Sequence, residues 1–168
     1  ETVALIEKAG GKAIPIAADL EKPDQRDGLV GKAVEAAGRL DILVNNAGFA
    51  DYGRAEGLSL ETFDRTVEHY FRVPFRLCQA AIPYMKQSGA GWIVNVGSVT
   101  ALPPTRPYQD YQKAGGELVY ASMKAALNRF SQGLAAELLD SNIAVNVIGP
   151  STAIRTPGAS ELIPESFP

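Results

Sequence analysis

The sequence predicts an α/β protein built on a doubly wound parallel sheet with helices on both faces. Three observations carry this. Short apolar runs alternate with longer stretches of helical periodicity, the runs are apolar on successive residues, and each delivers polar or glycine residues at its carboxyl end. Taken in order, residues 2–9 read as the tail of an amphipathic helix stopped by Gly10-Gly11. Residues 12–18, with Ile14 and Ile16, read as a strand ending at Asp19. Residues 23–37 read as a helix whose apolar side is Leu29, Val30, Ala33, Val34 and Ala37. The run Asp41-Ile42-Leu43-Val44 is too short for a helix and leads into Asn45-Asn46-Ala47-Gly48. One long helix is expected over residues 59–86, with Val67, Phe71, Phe75, Cys78, Ile82 and Met85 as its stripe. Residues 92–96 form the next buried strand and deliver Gly97-Ser98. A loop rich in Pro, Tyr and Gly follows at 103–116, then a helix over 117–139 with Leu127, Phe130, Leu134 and Leu138. The last strand, 143–148, ends at Gly149-Pro150. In such folds ligands sit beyond the carboxyl ends of the strands, where Asp19, Asn45 to Gly48, Ser98 and Pro150 all fall.

Composition narrows the function. A chain of 168 residues, 46% hydrophobic and 21% charged, suits a single globular domain with a substantial core. A net charge of −3 with scattered Lys and Arg gives no basis for nucleic acid binding. No apolar run approaches the ~18 residues of a membrane span. Cys78 is the only cysteine, which excludes an internal disulfide and fits a reducing, cytoplasmic setting; on its apolar stripe it reads as a small core residue. His69 is the only histidine, so a His/Cys metal site cannot be assembled, and Ser98 lacks the G-x-S-x-G elbow of a hydrolase.

Tyr120 and Lys124 are four residues apart and therefore share one helix face. An unperturbed phenol titrates near pH 10, and a neighbouring ammonium favours the phenolate. With the Ser98 hydroxyl to hold an oxygen that gains or loses a proton, the three make a proton-transfer set suited to alcohol–carbonyl chemistry. By spacing alone, an aromatic stem followed by a solvated Lys is the commoner arrangement, so the flanking sequence has to decide.

It does so through a resemblance. Asn45-Asn46-Ala47-Gly48 after an apolar strand, Ser98 after the next, and Tyr120-x-x-x-Lys124 on the following helix resemble the short-chain dehydrogenase/reductase family. Leu134-Ala135-Ala136-Glu137-Leu138 and Ile143-Ala144-Val145-Asn146-Val147 are similar to the family pattern too, and all five motifs occur in the family's order. The resemblance implies a Rossmann-like fold and an NAD- or NADP-dependent oxidoreductase acting on a small alcohol or carbonyl. It implies Tyr120 as the acid/base, Lys124 as the residue that lowers its pKa and binds the nicotinamide ribose, and Ser98 as the residue that positions the substrate oxygen. Asn45, Asn46, Ala47 and Gly48 would approach the cofactor through their backbone. Asp19 and Leu20 would lie near the adenine ring, and Pro150 and Thr156 beside the nicotinamide. For Asp19, a turn or N-cap role stands equally open. The helices at 59–86 and 117–139 resemble those the family uses to form homodimers and homotetramers.

The departures from the pattern are specific. No glycine-rich phosphate turn of the form G-x-x-x-G-x-G occurs, the chain starts at Glu1, and residues 157–168 supply no closing strand. The expectation is a single partial domain, a fragment without the amino-terminal cofactor loop and the carboxyl-terminal end. Tyr70 stands where the family usually has Asn. Pro74 has no N–H to bond the carbonyl of Tyr70, so that carbonyl is free to hold a relay water; equally, Tyr70 is a packing residue beside a proline. Ser98 and Tyr120 are 22 positions apart, longer than is usual in the family, and the excess near 103–116 reads as an insertion over the substrate pocket. Its Tyr108 and Tyr111 either line the cavity or shield the loop. Tyr111 has Gly115 rather than Lys at i+4, which leaves Tyr120 as the acid/base candidate. Tyr70, Ser151 in place of a common Gly, and the missing phosphate turn support an alternative, a non-catalytic nucleotide-binding or scaffolding domain of the same fold.

Overall fold

A computed structural model describes residues 1–49, 51–150 and 154 of the chain. Ser151, Thr156 and the side chain of Tyr111 lie outside the described residues. The element order begins with α1 (Thr2–Lys8), α2 (Pro23–Arg26), α3 (Leu29–Ala37), β1 (Ile42–Asn45) and α4 (Leu60–Val67). It continues with α5 (Val73–Ser88), β2 (Gly91–Val96), α6 (Asp110–Ala114), α7 (Leu118–Glu137) and β3 (Ile143–Ile148). The strands form a parallel sheet in the order β1-β2-β3, with Asn45 opposite Asn95 and Asn95 opposite Val147. Parallel neighbours require crossovers, and helices supply them, as the alternation of patterns predicts.

The core lies between the sheet and α3, α5 and α7. Ile93, Ile143 and Val145 point from the sheet into Val30, Leu77, Cys78, Ala81, Met85, Leu134 and Leu138. Alternate strand residues face the other way, and there Ile42, Val44, Trp92 and Ile148 are exposed. Among the described residues, then, helices cover one face of the sheet, where the apolar runs predicted cover on both.

Three further elements depart from expectation. Residues 12–18 take no regular structure and join no ladder, because among the described residues no strand lies alongside to accept their hydrogen bonds. The helix expected over 23–37 is broken at Asp27-Gly28, where the Asp27 carboxylate is held by Arg76 at 2.6 Å and Arg26 at 3.0 Å. The long helix at 59–86 starts with Ser59, whose Oγ accepts from the Thr62 N–H at 3.1 Å, and ends at Gly89 in the left-handed region (φ 80°). Between α4 and α5 it contains a π turn, Glu68–Arg72. Pro74 explains why: without an N–H it interrupts the α ladder just there, and the Val73 N–H reaches back to Glu68 instead. The extra residue rotates the apolar stripe. Tyr70, Val73, Leu77, Ala81 and Met85 turn inward, whereas Phe75 stays exposed.

A buried polar chain ties the strands to α7. Asn45 Nδ2 donates to Asn95 Oδ1 at 2.7 Å, Asn95 Nδ2 donates to Ser131 Oγ at 2.8 Å, and Ser131 Oγ donates to the Leu127 carbonyl at 2.7 Å. Asn45 Nδ2 also meets Cys78 Sγ at 3.4 Å, and burial raises that thiol to about 11, so Cys78 is the inert core residue its position predicts. Replacing Asn95 with Ala would leave Asn45 Nδ2 only the weak Cys78 sulfur and take from Ser131 Oγ the donor it accepts from. We expect Asn95→Ala to lower unfolding free energy by about 1–3 kcal/mol in urea titration.

Candidate active site

Ser98 closes β2 and opens a short turn; its Oγ accepts from the Thr100 N–H at 3.2 Å and from Thr100 Oγ1 at 2.9 Å. That fixes the hydroxyl at the carboxyl edge of the sheet. Gly149 follows β3 and presses on it: a Cβ there would stand 3.2 Å from the Ser98 nitrogen. The strand ends therefore bring Ser98 and the Gly149-Pro150 segment together, as sheet topology requires. Tyr120 and Lys124 reach the same edge from the first turns of α7.

Tyr120 is surrounded by aromatic rings. Tyr70 meets it edge to face at 4.9 Å between centroids, and Tyr52 does the same at 5.7 Å. Lys124 is buried, 6% exposed, and its Nζ donates to the Val96 carbonyl at 2.6 Å. The same Nζ lies 4.6 Å from the Tyr70 ring centroid and 5.7 Å from that of Tyr120. Burial lowers Lys124 to about 8. Tyr120 is raised above the ordinary phenol value, with burial the largest cause; Ser98 pulls it down and Glu117 pushes it up. The expected lowering of Tyr120 by Lys124 is thus not the arrangement found. Burial outweighs it, and the ammonium is directed at the Val96 carbonyl. Burial also raises Tyr70 strongly and Tyr52 to about 12, so both stay neutral phenols.

Gly48 reaches this cluster for a packing reason. A Cβ at Gly48 would stand 2.7 Å from Tyr70 Cε1 and 3.2 Å from its Oη. The Tyr70 ring lies in the space that a side chain at residue 48 would need. Gly48→Ala should cost about 1–3 kcal/mol by overpacking, and Tyr70→Asn in the same chain should recover most of it. Thermal or urea unfolding of both single variants and the double variant checks this coupling.

The remaining predicted site residues are placed unevenly. Asn46, Ala47 and Gly48 are exposed at the end of β1, open to a ligand's approach, but the Asn45 amide nitrogen is spent on Asn95 in the core. Asp19 makes a local turn: its Oδ1 accepts from the Glu21 N–H at 3.1 Å and its Oδ2 faces Lys22 Nζ at 3.4 Å. Leu20 packs on the core. Two residues of the site were absent from the sequence reading. Tyr52 belongs to a loop with no motif; it is brought to Tyr120 because Gly53 N–H bonds the Gly116 carbonyl at 2.8 Å and Arg54 Nη1 the Ala114 carbonyl at 3.0 Å. Asn128 sits one turn beyond Lys124, its buried Oδ1 without a partner among the described residues, 3.2 Å from where a Gly97 Cβ would stand. An i+4 repeat from Lys124 was the only signal for it.

The residues present suit a polyhydroxylated ligand such as a nicotinamide ribose. Lys124 has three N–H donors, and among the described residues one is used, on Val96. Gly48 lies against the Tyr70 ring that faces Lys124, and exposed Ala47 before it adds little side-chain bulk. Among the described residues no group of His, Cys, Asp and Glu is arranged to hold a metal ion, and no helix is long and apolar enough to cross a membrane.

The chain is similar in sequence and fold to known proteins. The short chain dehydrogenase family pattern matches residues 1–165. An uncharacterized oxidoreductase of Thermotoga maritima is 42% identical over 154 residues, covering 90% of this chain and 56% of the relative. 3beta-hydroxysteroid dehydrogenase 1 of Eggerthella lenta is 34% identical over 158 residues, covering 94% of this chain and 57% of that protein. The crystal structure of a short-chain dehydrogenase from Burkholderia cenocepacia in complex with NADP is 38% identical, covers 89% of this chain and 57% of its own, and superposes with a TM-score of 0.77. The chain spans little more than half the length of these relatives. In sequence along its whole length and in fold, it belongs to the short-chain dehydrogenase/reductase family.

Proposed function

We propose that the chain carries the catalytic part of an NAD- or NADP-dependent oxidoreductase that interconverts an alcohol and a carbonyl. The observation that carries this reading is the convergence of Ser98, Tyr120 and Lys124 at one sheet edge, with Gly48 reaching them through the Tyr70 ring. A reduced nicotinamide, when bound, supplies the hydride. Ser98 holds the substrate oxygen. Tyr120, kept protonated by burial, gives its phenolic proton to that oxygen as the carbon gains hydride, and takes a proton back in the reverse direction. Lys124 offers its spare donors to the cofactor's ribose and its charge to the phenolate that Tyr120 becomes. The carbonyl of Tyr70, which Pro74 cannot bond, is a candidate relay acceptor. Pro150 and Thr156 would flank the nicotinamide. The 103–116 insertion, docked on the Tyr52 loop, would border the substrate.

Assembly as a homodimer or homotetramer belongs to the same reading. Phe71, Phe75, Ile82 and Phe130 line an open groove of about 850 Å³ between α5 and α7. The test of function is direct: NADH or NADPH is offered with a panel of ketones and aldehydes, and nicotinamide absorbance is followed with alcohol formation. Protein-dependent consumption matched by alcohol supports the reading. Nucleotide binding without consumption on any carbonyl would favour the non-catalytic alternative, which Tyr70 at the relay position supports.

A further inference from the structure

We propose that Tyr70 is a positioning residue whose ring face seats the Lys124 ammonium at the sheet edge, an aromatic substitute for a polar partner. This rests on the proposed reading only for its catalytic consequence; the seating itself is a property of the fold.

The geometry has three parts. Lys124 Nζ is 4.6 Å from the centre of the Tyr70 ring, within the range in which a ring quadrupole attracts a cation. The ring itself is fixed: Tyr70 is 7% exposed, its edge meets Tyr120 at 84°, and Gly48 lies against its Cε1 side. The backbone beneath it is set by the π turn, with Tyr70 at the middle of Glu68–Arg72. A ring held from three sides cannot move aside at low cost, so the ammonium above it has a defined seat.

The need for such a seat follows from the surroundings. The groups facing Lys124 are the Val96 carbonyl from β2, Tyr120 from α7 and Tyr70 from the π turn, while Ser98 from the turn after β2 acts on Tyr120. Tyr52 from the 51–57 loop and Glu117 before α7 act on Tyr120, and Asp51 acts on Tyr70. No carboxylate among the described residues pairs with Lys124 within salt-bridge distance. A buried ammonium with a single carbonyl partner is costly, and an aromatic face offsets part of that cost where water is excluded. Tyr70 supplies the nearer face, since Tyr120 is farther, at 5.7 Å, and the Ser98 hydroxyl is engaged by Thr100.

The test follows the lysine itself, by the pH titration of the Lys124 side-chain ¹³Cε resonance in the wild type, Tyr70→Phe and Tyr70→Leu. Phe keeps the face and loses the hydroxyl. Leu loses the face. We expect Tyr70→Phe to titrate with the wild type and Tyr70→Leu to titrate lower by about half to one and a half pH units. If Tyr70→Leu does not fold, Tyr70→Met, which fills the space without a π face, is read in its place. A midpoint in Leu or Met equal to the wild type overturns the proposal, and so does a shift in Phe as large as theirs. Because the readout needs no turnover, a lysine that responds as expected in a protein without reductase activity sinks the proposed function and leaves the seat intact. Where turnover exists, the Lys-dependent limb of the kcat pH profile should move in Leu and be restored in Phe.

Discussion

Lys124→Met should abolish most activity while leaving a folded protein whose stability no longer rises between pH 8 and pH 10.5. The lysine is buried, and burial sets its midpoint at about 8 instead of 10.5. Below pH 8 both folded and unfolded chains carry the proton, so folding bears the whole cost of burying the ammonium. Between pH 8 and 10.5 the unfolded chain still binds that proton and the folded chain has released it. The unfolded state then holds more protons, and stability rises with pH. Methionine has a similar length and no charge. The variant should therefore equal or exceed the wild type below pH 8, by up to about 3 kcal/mol, and the gap should close toward pH 10.5. Urea titrations at several pH values read this. Catalysis should move in the opposite sense, with kcat/KM falling by about 100-fold or more, because a preorganised donor and charge are removed from the reacting oxygen and the cofactor.

Tyr120→Phe should reduce kcat by about 10²–10⁴-fold with little change in KM for the nicotinamide. Only the hydroxyl is lost, so the ring contacts with Tyr70 and Tyr52 persist and the fold should hold. The substrate oxygen then has no acid of matched position, since Ser98 is a far weaker one and Tyr70 is held neutral behind the Lys124 seat. Steady-state kinetics with circular dichroism separates loss of chemistry from loss of structure. A Phe variant with the activity of the wild type would remove Tyr120 from the mechanism.

The strands and the principal helices were legible because burial writes them into the pattern. The run at 143–148 could not be anything but a strand, and Leu127, Leu134 and Leu138 mark the buried side of α7. The π turn was half visible. Pro74 announced a broken ladder, but not that the repair would rotate Tyr70 into the site and leave Phe75 outside. Residues 12–18 carry strand-like alternation, yet alternation specifies a surface and not a partner, and no ladder forms there. In the site, Tyr120 and Lys124 were readable from their i+4 spacing. Their electrostatics were not, because whether burial or the neighbouring charge prevails depends on where Nζ points, and it points to Val96. Tyr52 was illegible for a similar reason: two loops far apart in sequence meet through one backbone hydrogen bond and one from the Arg54 side chain to a backbone carbonyl, and no motif marks either. Asp19 shows the converse, a motif position whose carboxylate is engaged locally by Glu21 and Lys22.

The proposed transfer moves a hydride and a proton between a nicotinamide and a carbon–oxygen bond at this sheet edge. It is tested most directly with NADH or NADPH carrying deuterium at the transferable position, incubated with the protein and a reducible ketone in ordinary water. Deuterium is expected on the carbinol carbon of the product and hydrogen from solvent on its oxygen, with the label absent from the product of Tyr120→Phe over the same time. Product without deuterium on that carbon, or equal labelled product from the Phe variant, would contradict it.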